Sequence, residues 1–82
     1  MKPELEQYFN NYFQLFRTEG WKQLIQELSD NASQQNDVQT VKDNDDLFFR
    51  KGQLAVMANV IRFEETITLA YEQAVEDNAE SI

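Results

Sequence analysis

The sequence predicts an all-α fold: a helical hairpin with a kinked or broken first helix and a long second helix, completed as an oligomeric helical bundle. Three observations predict it. The 82 residues contain one Pro, at position 3, and two Gly, so long stretches run without a breaker. Apolar residues recur at helical spacing on both sides of one polar segment. The chain is short enough that a single hairpin core rarely suffices, which favours self-association.

The first helix is expected over residues 3–29. Pro3 suits a first helical turn, and Leu5, Tyr8, Phe9, Tyr12, Phe13 and Phe16 follow an i, i+3, i+4, i+7 pattern. Trp21, Leu24, Ile25 and Leu28 form a second stripe that points to a different side of the axis. One straight helix cannot bury both stripes on one surface. A break or kink is therefore expected at Thr18-Glu19-Gly20, with Thr18 able to cap the second segment; a continuous helix touching two neighbours is the alternative. Such aromatic spacing on an acidic chain reads as core rather than as a platform for stacked bases.

Residues 30–43 are polar, rich in turn and cap formers, and carry only Val38 and Val41 as apolar anchors, so they form the connection. Asp43 or Asn44 can cap the next helix, with Asp45 and Asp46 at the positive end of its dipole. The same aspartates suggest a cation loop only faintly. A calcium loop needs Gly at its sixth position and Glu at its twelfth, where Phe48 and Leu54 stand.

The second helix is expected over residues 44–77, followed by a frayed tail at 78–82. Phe49, Gln53, Val56, Val60, Phe63, Ile67, Ala70 and Ala74 alternate steps of four and three, a heptad seam interrupted only by the polar Gln53. Leu47, Leu54, Met57, Ala58 and Ile61 make a shorter row on the opposite side. Leaving that row in water would cost about 1.5 to 3 kcal/mol per large side chain. Either the first helix wraps round to cover it, or a second copy packs there and the row is the oligomer interface. The longer seam is expected to face the chain's own first helix. Gly52, costly inside a helix, suggests close approach of another helix, from the Trp21 region or from a second copy. Arg50 and Lys51 read as a solvated rim.

Fifteen acidic against seven basic residues give a net charge of −8, which demotes direct binding to nucleic acid and to membrane surfaces. Zero Cys and zero His remove thiolate and imidazole chemistry and the usual zinc sites, and nothing in the pattern builds a cleft that would raise a carboxylate pKa. No catalytic residue, cofactor or metal site is expected, and no enzymatic activity. No stretch of 18 apolar residues occurs, and the start Met1-Lys2-Pro3-Glu4 lacks a signal-peptide core, so a cytoplasmic protein is expected. Glu64, Glu65, Glu72, Glu76 and Asp77, with Glu80, form an acidic run read as a solvated helix face or as a docking surface for a basic partner.

The segments Phe16-Arg17-Thr18-Glu19-Gly20-Trp21-Lys22 and Asp46-Leu47-Phe48-Phe49-Arg50-Lys51-Gly52-Gln53-Leu54, separated by a polar loop, resemble small uncharacterised helical proteins of tailed bacteriophages. The resemblance implies a product made in the cytoplasm of a bacterial host, serving in a virion or its assembly, and transfers no functional residue. Its partners would be copies of itself, a phage virion protein or a host protein. An acidic inhibitor or adaptor that imitates nucleic-acid charge is the alternative; stronger apolar seams than charge rows favour assembly.

Overall fold

The computed structural model describes residues 1–80, with side chains through Asn78. Among the described residues the chain is helical, in the order α1 (Pro3–Phe16), α2 (Glu19–Gln35), a short 3-10 turn (Val38–Thr40), α3 (Asn44–Ile61) and α4 (Phe63–Glu80). It divides into two compact units. One combines Met1–Lys22 with the chain from Phe63 onward, and the other is Gln23–Arg62.

The first unit contains the aromatic core. Pro3 opens α1 with Glu4 and Glu6 in its first turn, where the helix dipole favours negative charge. Phe9 and Phe13 meet Tyr71 of α4 at ring-centroid distances of 5.4 and 5.3 Å, while Tyr12 and Phe16 meet Phe63 at 5.0 and 5.9 Å. Later α1 residues thus contact earlier α4 residues, so the two helices run antiparallel. Phe9, Phe16, Trp21 and Ile67 are the buried residues of this core. The mainly edge-to-face geometry places ring edges on ring faces, the arrangement aromatic quadrupoles favour.

The break expected near Gly20 occurs, and Thr18 holds it from both sides. Its hydroxyl donates to the Leu15 carbonyl at 2.7 Å, closing α1, and accepts from the Trp21 N–H at 3.1 Å, capping α2. This turn places the Phe16 and Trp21 rings 5.1 Å apart.

Two boundaries differ from expectation. The α2 helix runs to Gln35 instead of ending at 29, so the connection shrinks to residues 36–43. The Gln26 side chain donates to Asp30 one turn on, at the first residue of the extension, and the backbone ladder continues to the Asn36 N–H, which donates to the Ala32 carbonyl. The long second helix is two helices, because Arg62 leaves the helical ladder at φ −89° and ψ 1°. Glu64 and Glu65 then occupy the first turn of α4, as Asp45 and Asp46 do in α3. The helix also continues past 77 through Glu80, beyond the end expected for it. The remainder of the tail expected at 78–82, residues 81 and 82, lies outside the described residues, as does the Glu80 side chain.

In the second unit, no side chain among the described residues is fully buried. Ile25, Leu28, Ala32, Leu47, Leu54, Met57, Ala58, Val60 and Ile61 are half-buried. A forty-residue segment without one enclosed apolar side chain has little to stabilise it beyond its helices and caps.

Candidate functional site

The start of α3 is fastened by a polar network. Asp43 caps the helix by accepting from the Asp46 N–H at 2.7 Å, and Asp46 returns by accepting from the Lys42 N–H at 3.0 Å. Arg50, one turn on, lies 3.2 Å from the Asp46 carboxylate. Its guanidinium also donates to the Thr40 carbonyl at 3.0 Å, to the Thr40 hydroxyl and to the Asp37 carbonyl. The 3-10 turn is thereby tied to α3, and Arg50 is a half-buried fastening rather than the solvated rim expected. The Lys42 N–H holds the Asp46 carboxyl below its ordinary range, with Arg50 and Lys42 adding to the effect and partial desolvation opposing it. Asp43 and Asp46, two of the three aspartates that suggest a cation loop, are therefore engaged in capping and pairing. Among the described residues no group of three or more acidic side chains is gathered to hold a metal ion.

Beyond this network α3 presents a face lined by Phe48, Phe49, Gly52, Gln53, Val56 and Met57. Phe48, Phe49 and Val56 are 65, 64 and 64% exposed. A Cβ built on Gly52 would meet nothing within 4 Å, so among the described residues no helix makes the close approach anticipated there. The Gln53 Oε1 atom is occluded yet accepts no hydrogen bond among the described residues.

The exposure of the two apolar rows differs from the expectation drawn from heptad spacing. Phe49 and Val56 belong to the long seam expected to be the internal core, yet they stand in solvent; only farther along does the seam enter a core, at Phe63 and Ile67. The shorter row, Leu47, Leu54, Met57, Ala58 and Ile61, is half-buried. Leu54, Ala58 and Ile61 share an open groove with Ala32, Ser33 and Asn36 of α2, and Leu47 shares another with Val38 and Val41. Within the chain, α2 and the connection are therefore the elements that flank this row. The carboxylates Glu64, Glu65, Glu72, Glu76 and Asp77 are all exposed on α4, where Asp77 accepts from Gln73 Nε2 at 2.9 Å.

Comparison with protein-family models, curated proteins and solved structures finds no match to this chain. Among the described residues no helix is long and apolar enough to cross a membrane. The α3 face is therefore judged on its own chemistry: apolar, open, and without a titratable group among its six lining residues.

Proposed function

We propose that this chain is a non-enzymatic assembly protein, of the phage structural kind its resemblance implies, and that it self-associates through the outward face of α3. The observation that carries the reading is the two-thirds exposure of Phe48, Phe49 and Val56 in a unit with no fully buried side chain among the described residues. Taking about 200 Å² for an aromatic side chain and somewhat less for Val, these three residues alone expose about 350 Å² of apolar surface. That is somewhat under half of the roughly 800 Å² per partner in a standard interface, so flanking residues of α3 must join the contact.

The charge distribution supports a second copy as the occupant. The chain carries −8, but α3 is neutral, with Asp45 and Asp46 against Arg50 and Lys51, and residues 52–61 contain no charge. Two copies that repel elsewhere can meet on this face without like-charge contact.

Sedimentation over a range of concentrations tests the proposal. The wild-type protein should associate at tens of micromolar, while Phe49→Glu, at a position open in the single chain, should remain helical and monomeric. A wild-type monomer across that range would defeat it. So would assembly only after a basic protein binds Glu64, Glu65, Glu72, Glu76 and Asp77, the outcome that favours an acidic adaptor.

A further inference from the structure

Among the described residues every fully buried side chain belongs to the unit built from Met1–Lys22 and the chain from Phe63 onward, and none lies in Gln23–Arg62. Both ends of that inner segment are nonetheless pinned. Trp21 stands just before it and Phe63 directly after it, and their ring centroids are 6.3 Å apart. Phe16 joins them, 5.1 Å from Trp21 and 5.9 Å from Phe63. These three rings all belong to the first unit, so the clamp they form uses no residue from 23 to 62. We propose that the segment Gln23–Arg62 is a conformational device: it unfolds and refolds as one cooperative piece while the aromatic unit, clamped at Trp21 and Phe63, stays folded.

The two boundaries suit such an opening. At the downstream end Arg62 leaves helical geometry and α4 starts afresh at Phe63, so α3 can unwind without carrying α4 with it. At the upstream end the first turn of α2 belongs to the aromatic unit. Its Trp21 N–H is capped by the Thr18 hydroxyl at 3.1 Å, and the Lys22 N–H donates to the Thr18 carbonyl at 3.3 Å. Unwinding of α2 from its far end stops at this turn, which the buried Trp21 anchors.

Within the segment, the closing interactions tie its parts to one another. Leu54 and Ile61 of α3 share a groove with Ala32 of α2, and Arg50 binds the connection to α3 through the Thr40 carbonyl. Each helix half-covers the other and neither has an enclosed side chain to hold it alone, so losing one removes the support of its neighbour. The two open together. A partner that recognises any face of this segment would bind only its folded form, with an affinity scaled by the fraction folded.

Native-state hydrogen exchange in low urea, at about 1 μM to keep the chain dilute, separates the two openings. Amides of residues 27–35 and 47–61 should be protected at least about tenfold less than the slowest amides of α1 and α4, with a shallower urea dependence because less surface is exposed. Two variants test the mechanism. Ile67, 5% exposed, packs in the aromatic unit; Ile67→Val weakens the closed and partly open forms alike, so it should speed exchange in α1 and α4 about two- to tenfold and leave α2 and α3 unchanged. Arg50→Met weakens the closed form alone and should speed α2 and α3 by one common factor. Coincident protection and urea dependence in all four helices, or equal acceleration of all four by Ile67→Val, would mark a single all-or-none fold and overturn the proposal. So would Arg50→Met speeding α3 alone, the sign of helices that fray independently.

Discussion

Truncating two phenylalanines on opposite sides of the same argument gives the most direct test of where this chain keeps its core. Phe16 is 6% exposed and its ring lies between 5.1 and 6.5 Å from those of Tyr12, Phe13, Trp21 and Phe63. Phe16→Ala removes nearly a full burial term and leaves a cavity among rings that cannot all collapse into it, a cost of about 3 to 5 kcal/mol. Phe49 is 64% exposed, so only about a third of its transfer term is realised in the single chain. Phe49→Ala should then cost about 0.5 to 1 kcal/mol. The assay is urea unfolding followed by circular dichroism at about 1 μM, below the association range. Phe16→Ala should lose most of the cooperative transition, and Phe49→Ala should shift its midpoint only slightly. Equal losses in the two variants would show that Phe49 is covered within its own chain, and the account of the α3 face would fail.

Three further outcomes follow from the caps and the polar fastening. Thr18→Ala removes a hydroxyl that closes one helix and caps the next, and should cost about 1 to 2 kcal/mol, whereas Thr18→Ser should retain most of that stability in the same melts. Arg50→Met should free the 3-10 turn and leave the Thr40 carbonyl without its partner, a loss of about 1 to 3 kcal/mol; faster hydrogen exchange in the first turn of α3 is the readout. The Asp46 carboxyl titrates below its ordinary value in the folded chain, so its stabilising contribution is present above that value and is lost as pH falls through the lowered one. Asp46→Asn should therefore flatten the acid side of the stability profile, and an unchanged slope below about pH 4 would count against the pairing.

The parts of this structure that sequence reveals are those set by neighbours one turn away. The α1 stripe, the break at Thr18 and the Asp43 cap all depend on residues within four positions of one another. The extension of α2 to Gln35 was hidden because residues 30–35 are mostly Asp, Asn, Ser and Gln, of which Asp, Asn and Ser serve equally well in turns. Arg62 gave no breaker signal, being neither Gly nor Pro; the acidic pair after it, repeating the pattern that opens α3, was the available clue. Arg50 could not be assigned from spacing, since its partners are backbone and side-chain oxygens ten and thirteen residues away. Nor does heptad regularity say which neighbour a seam meets. Phe49 and Phe63 occupy equivalent heptad steps, yet one stands in solvent and the other is half-buried in the aromatic core.

The aromatic unit draws its two halves from either side of the forty-residue segment Gln23–Arg62. Joining them means closing that segment as a loop, at an entropic cost of about 3 kcal/mol if it behaved as a flexible chain. Helices α2 and α3 shorten the effective loop wherever they are already formed, and anything that orders them lowers the closure cost for rings they need never touch. Docking of a second copy on α3 would thereby raise the stability of the Phe16, Phe63 and Tyr71 core through the unfolded ensemble alone. Dilution would then loosen that core even though none of the contacts within it had been altered.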